Sequence, residues 1–235
     1  MSKAIVLDCG GVMVAPVTGD WLLAPTFDLV LGEGFLKNHL RRFRAVRSNH
    51  LHYLPDMIKI GSDEEEYHLF CKLYRAVFDE MEFPLSDAQI EQMAFIQTYR
   101  DDRYLLFDDV LPYLSRWRGK YKLGIVSDAP PSTRRILTQM GVMQYIDAAT
   151  FSCDLGVLKP DPAIYRATLD RLQVLPGEAL FVDDFPSKLR GAKALGMHCV
   201  QMRRPMPELF QTAPEWEGDM AHDFQDIDEY VNALR

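Results

Sequence analysis

The chain has 235 residues, 48% of them hydrophobic and 26% charged, the balance of an ordinary globular protein long enough for one large domain or a domain plus a smaller one. A formal net charge of −8 lacks the basic footprint of a general nucleic-acid binder. No basic segment leads into an apolar stretch at the start, and no apolar run reaches roughly 18 residues, so neither a secretory signal nor a membrane span is expected.

In chain order, the first strong signal is Ile5-Val6-Leu7-Asp8-Cys9-Gly10-Gly11-Val12. An apolar run ended by a carboxylate and two glycines reads as a short strand buried on both faces, with Asp8 at its C-terminal end. From about residue 15 to residue 107 no buried strand is expected, only helical periodicity. Phe35, Leu36, Leu40, Phe43 and Val46 recur at near-helical spacing. Ser62-Asp63-Glu64-Glu65 has the form of a capped helix start with acids in its first turn, leading into Tyr67, Phe70, Cys71, Tyr74 and Phe78. Ser86-Asp87 caps another helix that carries Ile90, Met93, Ala94 and Tyr99.

Strands and helices then alternate. Helices are expected over 109–117, 131–140, 162–173, 186–195 and 226–234. Strands are expected over 122–127, 148–152, 179–183 and 198–202. Residues 203–217, with Pro205, Pro207 and Pro214, read as an irregular surface segment. Repeated strand–helix units predict an α/β fold, a Rossmann-like parallel sheet with helices on both faces, plus an inserted all-helical cap. The expected division is 1–14 and 108–235 for the sheet domain and 15–107 for the cap. Cys9, Cys71, Cys153 and Cys199 form no CxxC pair and read as reduced thiols, so a cytoplasmic location is expected.

Three predicted strands end in polar residues: Asp8, Ser127 and Asp183-Asp184. In a parallel sheet these ends share one edge, where open α/β folds bind their ligands. Lys159 stands just before a predicted helix. Taken singly, Ser127 is a turn residue, Lys159 a solvated lysine, and Asp183-Asp184 either a helix cap or a metal-ligand pair. Taken together, carboxylates that close repel one another unless a cation lies between them, and hard oxygen ligands suit Mg²⁺.

In four motifs the sequence resembles the haloacid dehalogenase superfamily of hydrolases. They are Val6-Leu7-Asp8-Cys9-Gly10-Gly11-Val12, Gly124-Ile125-Val126-Ser127-Asp128, Gly156-Val157-Leu158-Lys159-Pro160-Asp161-Pro162-Ala163-Ile164-Tyr165, and Phe181-Val182-Asp183-Asp184 continuing to Gly191-Ala192 and Leu195-Gly196-Met197. The resemblance implies that Asp8 is the nucleophile and that Ser127, the adjacent Asp128 and Lys159 meet the phosphate, with Lys159 also catalytic. It implies a Mg²⁺ held by Asp8, the carbonyl of Gly10, Asp183 and Asp184. A small phosphorylated metabolite is the expected substrate, with no nucleic-acid or membrane partner.

One position departs from that pattern. Most phosphatases of the superfamily carry a second Asp two residues after the nucleophile, to move the proton. Here Gly10 stands in its place. General acid–base assistance is worth about 10²–10⁴ in rate, so that much is left without an assigned residue. The alternatives are a 2-haloacid dehalogenase, a branch that also lacks the second Asp and uses no metal, or a catalytically weak phospho-ligand binder. The acidic Asp183-Asp184 pair favours phosphoryl substrates. Arg41, Arg42, Arg44 and Arg47 read as a solvated helix face or as a greeting for an anion. His50 and His52 read as surface or packing residues, and Cys9 as a small core residue.

Overall fold

The computed structural model describes residues 3–50, 56, 58–205, 214 and 216–234. His52 and most of 206–215, the heart of the proline-bearing segment, lie outside the described residues. Strands β1 (Ala4–Leu7), β4 (Lys122–Ser127), β5 (Ala148–Phe151), β6 (Ala179–Asp183), β7 (His198–Met202) and β8 (Asp219–Ala221) form a parallel sheet in the order β5-β4-β1-β6-β7-β8. From β1 the chain builds outward through β4 and β5 on one side. It then crosses to β6 and continues outward through β7 and β8. The reversal places β1 at the centre, between β4 and β6, and opens a crevice at the C-terminal end of β1.

Alternation along β1 shows why its sequence is apolar throughout. Ile5 and Leu7 pack with Val12, Leu123, Ile125, Leu180 and Val182 on one face of the sheet. Ala4 and Val6 pack with Val126, Ile164, Tyr165 and Phe181 on the other. Both faces are covered, so neither parity is free to be polar until the strand ends. The covering helices are α4 (Val110–Trp117), α5 (Ser132–Gln139), α6 (Pro162–Leu172), α7 (Pro186–Ala194) and α8 (Phe224–Ala233). Each lies where the hydrophobic period shifts from two to about 3.6 residues.

A helical insertion separates β1 from β4. Among the described residues its long helices are α1 (Phe35–Asn49), α2 (Asp63–Glu80) and α3 (Asp87–Tyr99). They enclose a core of their own in which Phe27, Phe35, Phe43, Phe70, Tyr74 and Phe78 are buried. The local starts follow the expected chemistry. Ser62 accepts a hydrogen bond from the Glu65 amide, and Ser86 and Gln89 form a reciprocal capping box.

Two features depart from the expected elements. A short antiparallel ribbon, β2 (Val14–Pro16) with β3 (Tyr104–Leu106), closes the base of the insertion. The strand β8 extends the sheet edge beside β7. Each of these strands has three residues, too few to establish a period, and two of the three residues of β8 are exposed. Pairing with a distant partner defines them, and a linear pattern does not contain that partner.

Candidate active site

Asp8 follows β1 directly. Its amide donates to the Val182 carbonyl at 2.9 Å, which continues the ladder one step past Leu7 and sets Asp8 beside the end of β6. The chain then turns sharply: the amides of Met13 and Val14 donate back to the Cys9 carbonyl at 2.8 and 3.0 Å. Arg204 braces this turn by donating to the Val12 carbonyl from two nitrogens, at 3.0 and 2.9 Å. Gly11 adopts φ +70°, and a Cβ there would overlap the Asp184 carboxylate. The second glycine of the motif is thus required both by its left-handed backbone and by the approach of Asp184. Cys9 points into the core face shared with Leu7. Burial pushes its thiol far above the ordinary thiol range, so it supplies no thiolate.

The strand-end residues meet around one ammonium. Lys159 Nζ lies 2.9 Å from Asp8 Oδ1 and 2.6 Å from Asp183 Oδ2, and the lysine is only 3% exposed. Burial alone would depress its pKa. The nearby carboxylates of Asp183, Asp8 and Asp128 overcome that and hold it well above the ordinary lysine value. Asp183 also accepts from the Phe185 amide at 2.8 Å, so both its oxygens are engaged by protein donors. Asp128 accepts from the Lys159 amide at 2.8 Å and from Lys188 Nζ at 2.7 Å. Its carboxylate therefore anchors the loop that delivers Lys159, and Lys188 joins the cluster as a second ammonium.

Asp8, Asp183 and Asp184 place one carboxylate oxygen each within 4.8 Å of one another. Burial pushes the Asp184 carboxyl up to about 8, and the charges of Asp183 and Asp8 add to the effect. Burial likewise takes Asp183 to about 6, against the pull of Lys159. The protein's own cations leave part of this negative charge unneutralised. Four carboxylates facing two ammonium groups, with three oxygens converging, fit a hard divalent cation in size and donor type. Asp184 and Asp8 offer the less engaged oxygens for direct contact.

The cluster lines one end of a cavity of about 350 Å³, whose walls include Ser127 and Thr133. The helical insertion and the return into β3 supply further lining residues: Trp21, Leu22, Arg47, Phe70, Gln97 and Arg103. Trp21 crowds the position of the missing acid. A Cβ on Gly10 would sit 3.1 Å from two carbons of its indole ring, so the ring would have to give way for a side chain at residue 10. The Trp21 backbone is held there by Gln97, whose Nε2 donates to the Trp21 carbonyl at 2.8 Å. Its ring meets Tyr104 edge-on, with centroids 5.5 Å apart.

The arginine run divides. Arg41 and Arg42 are exposed, as a solvated face requires. Arg44 and Arg47 both pair with the buried Asp20 at 3.2 Å, and Arg47 reaches the cavity. His50 pairs with Glu80 at 2.8 Å. Sequence reasoning did not single out Trp21, Gln97, Arg103, Lys188 or Arg204. Of these, only Lys188 had a usable signal, standing two residues inside the helix that follows Asp183-Asp184.

A model of the haloacid dehalogenase-like hydrolases matches residues 2–196, and the chain belongs to that family. Bifunctional epoxide hydrolase 2 of Rattus norvegicus is 42% identical over 72 residues, covering 30% of this chain and 13% of that protein. Glyceraldehyde 3-phosphate phosphatase of Methanopyrus kandleri is 30% identical over 145 residues, covering 57% of this chain and 62% of that protein. The chain thus spans less than two thirds of the length of either relative. The solved structure of L-2-haloacid dehalogenase from Xanthobacter autotrophicus shares the fold, with a TM-score of 0.71 at 17% identity over 100% of both chains. Among the described residues, no helix is long and apolar enough to cross a membrane.

Proposed function

We infer that the protein is a Mg²⁺-dependent phosphatase acting on a small phosphorylated metabolite through an aspartyl-phosphate intermediate. The observation that carries this reading is the convergence of Asp8, Asp183 and Asp184 within 4.8 Å, a cluster that needs a cation beyond Lys159. A metal-free displacement at carbon has no use for a third buried acid beside the nucleophile.

The residues divide the work as follows. Asp8 attacks phosphorus, the ester oxygen leaves with the bonding electron pair, and water later attacks phosphorus to release phosphate and restore Asp8. Ser127 donates to a phosphoryl oxygen. Lys159, fixed by Asp183 and by the Asp128 anchor on its amide, neutralises charge as it builds on the transferring group. Asp8, Asp184 and the Gly10 carbonyl, with Asp183 in support, would hold Mg²⁺, which would supply the charge neutralisation that lets an anionic carboxylate meet an anionic ester. Residue 10 moves no proton, and the indole of Trp21 crowds that space. Departing oxygens that need little protonation are therefore favoured. The four cysteines are all free thiols, which fits a reducing compartment such as the cytoplasm.

The test is hydrolysis of a panel of phosphomonoesters with and without Mg²⁺, repeated with Asp8→Asn. Turnover that requires both Mg²⁺ and Asp8 is expected. Hydrolysis unchanged by Asp8→Asn, or halide release from a 2-haloacid that persists in chelator, overturns the reading.

A further inference from the structure

The cavity has a second charged end that the phosphoryl chemistry does not use. Arg103 is 2% exposed, and its Nη2 donates to Ser132 Oγ at 2.8 Å. Its nearest carboxylate, Glu66, is 3.9 Å away and already accepts from the Ser132 amide at 3.0 Å and hydroxyl at 2.7 Å. A neutral hydroxyl therefore stands between the buried cation and its anion. The guanidinium also lies over the Tyr104 ring, 4.5 Å from its centroid. Its Nε is buried with no hydrogen-bond partner. A guanidinium serving only as a brace between the insertion and the sheet domain would have its buried donors filled, because an empty one costs free energy.

Two further cavity-lining groups share this condition. Gln97 is fully buried and spends its amide nitrogen on Trp21, while its Oε1 has no partner. Arg47 Nε is likewise buried and unfilled. Arg47 and Arg103 each lie beside one buried carboxylate, Asp20 at 3.2 Å and Glu66 at 3.9 Å, and neither pairing fills the guanidinium Nε.

We propose that this end of the cavity is a second-anion subsite in which Arg103 binds an acidic group of the substrate, making the substrates small phosphomonoesters that carry a carboxylate or second phosphate a few carbons from the reacting phosphoryl group. The proposal rests on the phosphatase reading for its substrate class, and on Arg103, Gln97 and Arg47 for its location. The Gln97 oxygen adds a place for a hydroxyl or ammonium donor between the two anions. A cavity of about 350 Å³ has room for both anionic groups of a small ester.

The experiment compares three classes of ester with Mg²⁺ present. They are phosphoglycolate and phosphoserine, which carry a carboxylate, propane-1,3-diol bisphosphate, which carries a second phosphate, and propyl phosphate, which carries neither. At least one acidic class is expected to exceed propyl phosphate in kcat/KM by about tenfold to a hundredfold, and the class that does so identifies the anion. Arg103→Met is expected to collapse that ratio toward one, with the loss in KM. A ratio near one in the wild type, or one unchanged by Arg103→Met, overturns the proposal. Should the Met variant not fold, Arg103→Gln removes the charge while keeping a polar side chain, and the same two outcomes decide. Malonate binding to the Asp8→Asn protein without Mg²⁺, read by calorimetry, separates the two readings. Malonate binding that disappears when Arg103→Met is added, with no ester hydrolysed by the wild type, leaves the subsite standing and removes the phosphatase. Hydrolysis with no malonate binding and no acidic preference removes the subsite alone.

Discussion

The two ends of the cavity are built on opposite principles. At the strand ends, four carboxylates surround two ammonium groups, and every group but Lys188, which comes from the first turn of α7, hangs from the last residues of a strand or from a loop bonded to one. At the far end, Arg47 and Arg103 lie beside single buried carboxylates with Nε unfilled, and the groups come from helix faces and the return into β3. The first arrangement creates a demand for a cation that is the same whatever ester arrives. The second sets which ester that is. Chemistry built on the rigid sheet and selection built on the insertion are separable, and substitutions at each end should register in different constants.

The largest effect is expected for Lys159→Met. It leaves Asp8 and Asp183 facing each other without their shared ammonium. A fall in kcat of about 10²–10³ is expected in steady-state assays. A loss confined to KM would move Lys159 out of the strand-end machinery. Next comes a gain. Gly10→Asp alone is expected to lower activity, because its Cβ crowds Trp21. Gly10→Asp combined with Trp21→Ala opens that space for a proton carrier. The double variant should raise turnover of esters with poor leaving groups by about 10² relative to Gly10→Asp, read by comparing alkyl with aryl phosphates.

Gly11→Ala is expected to cost about 1–3 kcal/mol of stability in denaturant titrations, through its φ of +70° and the overlap with Asp184. It should also weaken Mg²⁺ activation. An Ala variant that binds Mg²⁺ normally would show that Asp184 need not approach the turn.

The smallest effect concerns Glu66. Burial is the main cause that raises its pKa above 4.5, with Ser132 and Arg103 opposing. A carboxyl whose pKa is higher folded than unfolded destabilises the folded state once it must ionise, so the penalty grows as pH rises from 4.5 through the folded value. Glu66→Gln removes the penalty. Its melting temperature relative to wild type should therefore climb as pH rises across that window, while a constant difference would place the raised pKa elsewhere.

Legibility in the sequence follows the same division. Asp8, Ser127, Lys159 and Asp183-Asp184 could be found because a parallel sheet converts strand ends, which a linear pattern marks, into neighbours. The helices of the insertion were visible through their caps and apolar faces. Arg47, Gln97 and Arg103 were not separable from solvated positions, because which helix face meets the cavity depends on how the insertion sits over the sheet. Gly10 was read as an absent acid, and the structure sets it against Trp21, which shares no motif with it. Lys188 and Arg204 act by bracing a loop and a turn, roles defined wholly by tertiary contact. The ribbon β2–β3 and the edge strand β8 were too short to carry a period.

The central claim is that Asp8 takes up the phosphoryl group. Incubation of the protein with Mg²⁺ and a ³²P-labelled phosphomonoester, followed by acid quench and peptide mapping, tests it directly. Label is predicted on the peptide containing Asp8, absent in Asp8→Asn and absent without Mg²⁺. Hydrolysis that proceeds with no label on that peptide, or label that survives Asp8→Asn, would contradict the account.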